Sequence, residues 1–164
     1  KEIRNEKSPS KESPGMKSLM EQWRKHLKEE QQSYPQGEKG DTDEVAKVII
    51  FNEDEKILIL KRASHMKWNP NKWDLPGGML KKKESAKQAA KREVKEETDL
   101  SIKNIVETGN VNQITIFKAD TESKDKEIKL DDENQEYEWV TPKNALKRDF
   151  VPFLKDFIGE HEKE

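Results

Sequence analysis

The stretch from Gly78 to Leu100, GMLKKKESAKQAAKREVKEETDL, constrains the fold most, because a polar loop runs directly into a strongly marked helix. Ser85 is a good N-cap, and Gln88 three residues later completes a capping-box pattern. The residues that follow are mainly alanine, lysine, arginine and glutamate, which favour a helix interior. The pair Thr98-Asp99 is a plausible stop, because aspartate tolerates the left-handed conformation in which helices often end.

The charges of the predicted helix are segregated by sign. At about 100° per residue, one face of the helix carries small residues and carboxylates, namely Ala86, Ala90, Glu93 and Glu97. Ala89 and Glu96 lie beside this face. The lysines at 87, 91 and 95 lie on another face, although a solvated helix gains from opposite charges at i,i+4. Carboxylates that converge on a partly buried face favour a hard divalent cation between them, Mg²⁺ or Mn²⁺. The alternative is an exposed, Glu-rich helix, and charge segregation alone does not decide between the two.

The spacing of the same stretch resembles the Nudix box, G-x5-E-x7-R-E-U-x-E-E-x-G-U, in which U is a bulky aliphatic residue. The matching positions are Gly78, Glu84, Arg92, Glu93, Val94, Glu96, Glu97 and Leu100. Asp99 stands where the family has glycine, a change that affects the backbone after the helix at modest cost. The preceding segment Trp73–Gly78, WDLPGG, also looks like the family's usual approach to the box. The resemblance covers roughly Asp43 to Ile158.

This resemblance implies an α/β fold, the Nudix-type α/β/α sandwich with a mixed sheet. It implies a metal-dependent pyrophosphohydrolase that cleaves a nucleoside diphosphate linked to another moiety, either a nucleoside triphosphate or a dinucleotide such as ADP-ribose. The implied cofactor is Mg²⁺ or Mn²⁺. The implied metal ligands are Gly78, Glu93, Glu96 and Glu97. Arg92 would orient the carboxylates, and Glu84 would pair within the box or reach a second metal.

Many family members supply a further acid from a loop shortly before a tryptophan. The segment Asp131–Trp139, DDENQEYEW, offers several acids. Glu133, six residues before Trp139, is predicted to join the catalytic residues Arg92, Glu93 and Glu97. Glu136 is the second candidate. A solvated acidic loop is the alternative, and the general base is left open among the glutamates.

Candidates for substrate binding are fewer and less specific. Arg62 ends a predicted strand, and a guanidinium suits bidentate phosphate contacts, although a solvated strand end is the alternative. Trp68 offers a surface for base stacking, or lies in the core or at its rim. Phe117 could stack on a base without donating a hydrogen bond, but a core position is the better interpretation. Glu84 completes the set of substrate-side candidates.

The remaining domain, predicted over residues 43–160, alternates strands and helices. Val45–Phe51 is apolar on both faces and should form a central strand, with Lys56–Arg62 returning beside it as a hairpin. Further strands are expected at 102–106, 112–119, 128–130 and 137–140. Thr141-Pro142 should begin a short helix, and apolar residues at helical spacing from Phe150 to Ile158 predict a last helix.

Residues 1–42 have a different composition. The chain is 40% charged and only 30% hydrophobic, which indicates that part of it lies outside the core. Residues 1–15 should be disordered, residues 16–31 should form an amphipathic helix, and a linker should follow. The helix either packs on the domain or docks to a protein partner with Trp23 as anchor. The second function hypothesis is therefore a non-catalytic binding module held in a larger assembly by this helix.

Several function classes are disfavoured. The absence of cysteine excludes a disulfide framework, a thiol nucleophile and cysteine-ligated zinc. No apolar run is long enough for a membrane span and no signal-peptide core is visible, so a cytoplasmic protein is expected. The formal net charge of −2 argues against bulk binding to nucleic acid. The partner that the family resemblance implies is a small nucleotide.

Overall fold

The computed structural model describes residues 42–111, 113–122 and 126–161. In this part of the chain, seven strands form one mixed sheet that lies between helices, as predicted. The strands are β1 (Val45–Phe51), β2 (Ile57–Arg62), β3 (Trp73–Asp74), β4 (Gly77–Met79), β5 (Ile102–Val111), β6 (Ile114–Thr121) and β7 (Asn134–Val140). The helices are α1 (Ala86–Thr98), α2 (Pro142–Ala145) and α3 (Leu154–Gly159). The predicted tail and the 16–31 helix lie outside the described residues.

Strand β1 is central, as its apolar sequence predicts. It runs parallel to β6 along its whole length and pairs with β2, in antiparallel fashion, at Phe51 and Ile57. Beyond that contact the two strands take different partners, because β4 pairs with β1 at Val45–Lys47 and β3 pairs with β2 at Leu60–Lys61. The short β3–β4 segment therefore bridges the two halves of the hairpin. Strands β5 and β7 extend the sheet beside β6 and β2.

Two hydrophobic clusters cover the two faces of the sheet. Alternate residues of β1 point to opposite faces, so Ala46 and Val48 pack towards α1 while Val45 and Ile49 pack towards the C-terminal helices. Lys47 interrupts this pattern as a buried charge within β1. Because β1 is central, the side chains from Val45 to Ile50 are buried on both faces of the sheet.

Helix α1 has the ends that its sequence predicts. The Ser85 hydroxyl accepts from the Gln88 backbone N–H while the Gln88 side chain accepts from the Ser85 N–H, which completes the capping box. Asp99 ends the helix in the left-handed conformation (φ 66°, ψ 14°) and forms ion pairs with Lys95 and Lys126. Aspartate therefore takes the role that glycine has in the box, because its conformation is accessible and its charge is paired.

Two predictions about the C-terminal half were wrong. Residues 128–130 form no strand, because the Lys129 N–H donates to the Thr98 carbonyl at the end of α1 (3.0 Å) and not to a sheet ladder. The last helix begins at Leu154, because Val151 donates to the Trp73 carbonyl (2.8 Å) and Phe153 has a φ of 72°. Among the described residues, none of the helices has the length and apolar character that crossing a membrane requires.

Candidate active site

The candidate site lies where α1 faces the β3–β4 segment, and two glycines set that approach. A Cβ on Gly77, whose φ is 141°, would lie 2.0 Å from the Ala46 carbonyl oxygen. A Cβ on Gly78 would lie 2.5 Å from the carboxyl carbon of Glu93. The Gly77 N–H donates to Glu97 Oε1 at 3.0 Å. The glycine pair thus lets the segment lie against the helix and hold one of its carboxylates.

Three carboxylates from two distant segments converge at this point. Glu97 is 8% exposed, and it offers a carboxylate oxygen within 4.8 Å of oxygens from Asp131 and Glu133. Asp131 and Glu133 precede β7, in a turn that is closed by the Asn134 N–H donating to the Asp131 carbonyl at 3.4 Å. The site therefore combines acids of the helix with acids of a loop more than thirty residues later in the sequence.

The electrostatics of this cluster fit a hard divalent cation. Burial raises the pKa of Glu97 well above its ordinary value, and the nearby charges of Glu93 and Asp131 raise it further. Burial likewise raises the pKa of Glu93 to about 7 against the opposing charge of Arg92, and raises the pKa of Asp131. Like-charged carboxylates at this distance favour protonation unless a cation lies among them. An all-oxygen set of acids is the ligand type that Mg²⁺ and Mn²⁺ prefer.

Arg92 ties the loop before the helix to the helix carboxylates. Its Nε and Nη2 donate to the two Glu84 oxygens at 2.8 and 3.0 Å, and Nη2 also donates to the Met79 carbonyl. Its Nη1 donates to Glu93 (3.1 Å) and Glu96 (3.2 Å). The guanidinium holds the pKa of Glu84 below its usual range. This geometry matches the predicted orienting interaction and shows Glu84 paired within the box.

The structure brings most of the predicted metal ligands together. Gly78, Glu93 and Glu97 lie at the meeting of β4 and α1, with Glu133 beside Glu97. The side chain of Glu96 is 53% exposed and contacts Arg92, so it lies at the rim of the cluster. The ligand and base roles of these residues stay predictions.

Glu84, the fourth candidate for substrate contacts, is paired with Arg92, and the other three have different surroundings. Arg62 is 7% exposed, lies 3.4 Å from Asp74 through Nη1 and donates from Nε to the Trp68 carbonyl, so the solvated strand end is wrong. Trp68 is half-buried in the loop after β2. Phe117 is 5% exposed and packs in the cluster beneath α1, where the core interpretation places it. Its ring therefore presents little surface to a base.

Two residues of this region were not predicted from the sequence to belong to the site. Asp131 was noted only within an acidic run, and the turn that brings it to the cluster with Glu133 has no strand periodicity that could have singled it out. Lys47 stands alone in an otherwise apolar central strand, a position where lysine is rarely buried without a partner. Glu136, the second candidate for the downstream acid, instead forms an ion pair with Lys61.

A mixed sheet between helices, a glycine turn against a helix with the pattern Arg-Glu-x-x-Glu-Glu, and acids converging on that helix define a Nudix-type domain. The family model of the NUDIX domain matches residues 41–160, and the chain belongs to this family.

Related proteins agree with this assignment. The chain is 45% identical over 64 residues to an uncharacterized Nudix hydrolase of Listeria innocua, a match that covers 38% of each chain. It is 47% identical over 51 residues to a provisionally named 8-oxo-dGTP diphosphatase of Bacillus subtilis, with 31% of each chain covered. These matches therefore span well under half of either relative. The crystal structure of a MutT protein from Methanosarcina mazei is 29% identical, with a TM-score of 0.58 and coverage of 71% of this chain and 90% of that one.

Proposed function

We propose that this domain hydrolyses the pyrophosphate bond of a nucleoside diphosphate linked to another moiety, with Mg²⁺ or Mn²⁺ bound at the carboxylate cluster. The observation that carries this proposal is the convergence of Glu97, Asp131 and Glu133 oxygens within 4.8 Å. Such a cluster is costly for a folded protein to maintain without a cation. A binding module that takes no metal would have no need for it.

The reaction is water attack at phosphorus. The water oxygen forms a bond to one phosphorus, the bridging P–O bond breaks, and a carboxylate of the cluster accepts the proton from the water. A divalent ion bound there would neutralise the pyrophosphate, polarise a phosphoryl oxygen and acidify the water. The proposed ligands are Gly78, Glu93, Glu96 and Glu97 from the box, joined by Asp131 and Glu133. The Gly77 N–H and Arg92 orient Glu97 and Glu93 within this set.

A nucleoside triphosphate is the first substrate class to test. The Bacillus subtilis relative is named for 8-oxo-dGTP, which belongs to this class. ADP-ribose and similar dinucleotides form the second class. A wide panel is needed, because the half-buried Trp68 and the buried Phe117 give no strong indication of the base.

The deciding experiment is hydrolysis of a nucleotide panel with Mg²⁺ or Mn²⁺. The panel contains the common nucleoside triphosphates, 8-oxo-dGTP, ADP-ribose, NADH and dinucleoside polyphosphates. We expect metal-dependent turnover of at least one member and its loss with EDTA. A folded, metal-binding protein that turns over none of them would contradict the proposal and favour the non-catalytic module.

Substitution of Arg92 by lysine should lower kcat/KM by about 100-fold, because misplacing catalytic groups by about 1 Å costs this much. The guanidinium contacts Glu84 and two helix carboxylates at once, whereas the lysine ammonium is one nitrogen and cannot span them. The measurement is steady-state kinetics on the nucleotide that the wild type hydrolyses. Arg148→Lys is the control, because Arg148 pairs with Glu138 outside the cluster. Equal kcat/KM in the Arg92 and Arg148 variants would contradict the orienting role.

Mn²⁺ should stabilise the protein against heat even without substrate. A ligand that binds only the folded state, at about 100 times its dissociation constant, contributes about 2.7 kcal/mol to the free energy of unfolding. For a domain of this size this corresponds to a rise in Tm of about 5 to 10 °C. Glu97→Gln should lose most of the shift, whereas Glu136→Gln should keep it, because Glu136 pairs with Lys61 outside the cluster. A full shift in Glu97→Gln would place the metal elsewhere.

A further inference from the structure

A buried group of three charges lies beside the carboxylate cluster. The Lys47 ammonium is 3.1 Å from both Asp74 oxygens, and Arg62 Nη1 is 3.4 Å from Asp74 Oδ2. Lys47 is 5% exposed, and all three residues are buried. Desolvation offsets much of the attraction in such a pair, so a buried ion pair contributes little to stability compared with apolar residues of similar size. Stability of the fold alone therefore does not explain why three charged residues are buried at this position.

The position of Lys47 in the sheet indicates what the buried charges do. Lys47 lies on β1 opposite Gly77 of β4, and the next residue, Val48, donates its N–H to the Pro76 carbonyl at 2.9 Å. Its ammonium donates to the Leu75 carbonyl at 3.2 Å as well as to Asp74. The backbone and side chain of one short stretch of β1 thus hold residues 74–77, where β1 and β2 take different partners.

The segment that Lys47 holds is the one that positions the helix acids. The Gly77 N–H donates to Glu97 Oε1, and Gly78 packs against the Glu93 carboxylate. A shift of this segment would move both contacts together.

We propose that Lys47 is a positioning residue of the carboxylate cluster, acting through Asp74 and the Leu75–Gly78 backbone to fix the place of Glu97 and Glu93. This inference rests on the proposed function for its kinetic readout and for the presence of a metal at the carboxylate cluster, but it does not depend on hydrolysis. Its effect on the metal is measured separately, so the two proposals can fail independently.

The test compares wild type with Lys47→Met and Lys47→Arg. The first readout is Mn²⁺ affinity by isothermal titration, and the second is kcat and KM on the nucleotide that the wild type hydrolyses. Lys47→Met should weaken Mn²⁺ binding and lower kcat, each by about 10- to 100-fold, as removal of groups that orient metal ligands does. KM should change less than kcat, because the ammonium bonds to Asp74 and Leu75 and has no assigned role in holding the substrate. Lys47→Arg keeps a donor to Asp74 and should recover most of both losses.

Two further variants separate positioning from stability. Ile49→Val is buried on the same strand and in the cluster that faces the C-terminal helices, so it should lower Tm while leaving Mn²⁺ affinity and kcat unchanged. The double variant Lys47→Met/Asp74→Asn removes both charges of the ion pair, and it leaves the buried Arg62 guanidinium without the carboxylate that lies 3.4 Å from it. Its Tm should therefore be no higher than that of Lys47→Met, and it should still bind Mn²⁺ weakly, because an uncharged pair no longer holds the segment.

Several outcomes would overturn the proposal. Mn²⁺ affinity in Lys47→Met that equals or exceeds the wild-type value would show that the ammonium does not position the ligands. Recovery of affinity and kcat in the double variant, or an equal loss in Ile49→Val, would reduce Lys47 to a stabilising residue. If the wild type hydrolyses no nucleotide in the panel, the proposed function fails, and the Mn²⁺ titration still decides the role of Lys47.

Discussion

Replacing Glu97 by glutamine should lower kcat by about 10³-fold, the cost of losing a central charged group in a preorganised site. Glu97 is the residue on which the site converges, with the Gly77 N–H on one side and the acids of the downstream loop on the other. Glutamine has nearly the same volume, and its carbonyl oxygen can still accept from Gly77. It carries no negative charge, so it cannot take a carboxylate's place as ligand or base.

The same substitution should leave the metal-free fold at least as stable as the wild type. Burial and the charges of Glu93 and Asp131 raise the pKa of Glu97 well above its ordinary value, so ionising it costs stability in the folded state. A carboxyl group whose pKa is raised on folding destabilises the protein as pH increases above the unfolded-state pKa. In EDTA, the advantage of glutamine should therefore grow as the pH rises from the unfolded-state pKa through the raised pKa of the folded state, and then level off.

Steady-state kinetics and thermal unfolding over a pH range would check both parts of this prediction. Glu136→Gln is the matched control, because it makes the same chemical change in an exposed residue of the adjoining strand. Retention of more than a tenth of wild-type kcat would mean that another acid performs the work assigned to Glu97. A lower Tm for Glu97→Gln in EDTA would show that the carboxylate is not under repulsion from Glu93 and Asp131.

The parts of this molecule that local sequence determines were predictable. The capping box at Ser85, the left-handed end at Asp99 and the central position of β1 depend on neighbouring residues and on apolar patterning. The helix period also predicted that Glu93 and Glu97 share one face, because 3.6 residues per turn brings positions four apart together. That Gly78 lies beside them was implied by the family resemblance and not by the helix period. In these cases the local preference and the tertiary structure agree.

The features that escaped prediction depend on contacts between distant segments. Arg62 was expected either to contact a substrate phosphate or to face solvent at a strand end, but the β3 residue Asp74, twelve positions later, holds it in a buried ion pair. Asp131 joins Glu97 only because the chain before β7 returns to α1. Ile128 and Leu130 alternate with Lys129, a pattern that suits a strand, but the main chain bonds instead to the end of α1. Periodicity carries no information about which segments meet.

The predicted helix at residues 16–31, its protein partner and the cytoplasmic location remain predictions from sequence. They bear on where the domain acts and not on the chemistry of the cluster. Removing residues 1–40 tests the role of the predicted helix. If the helix is a tether, turnover should persist after the deletion. If it packs on the domain, the deletion should lower the stability of the domain.

Replacing Gly77 by alanine should destabilise the fold by about 3 to 5 kcal/mol, the upper range for single substitutions. The new Cβ would lie 2.0 Å from the Ala46 oxygen and 2.7 Å from the Lys47 Cα, and both are backbone atoms of β1. That strand cannot move aside, because β6 pairs with it along its other edge. A φ of 141° adds strain for any residue with a Cβ.

Thermal unfolding should show the loss as a fall in Tm of more than about 10 °C. Gly159→Ala is the control, since nothing lies within 4 Å of its Cβ position and alanine favours a helix. Gly78→Ala makes an informative contrast, because its Cβ would meet the Glu93 side chain and not backbone. Glu93 can rotate away, so that variant should fold better than Gly77→Ala and still lose activity. If Gly77→Ala unfolds within about 2 °C of wild type, a loss of about 1 kcal/mol or less, the approach of β4 to β1 is looser than these distances indicate.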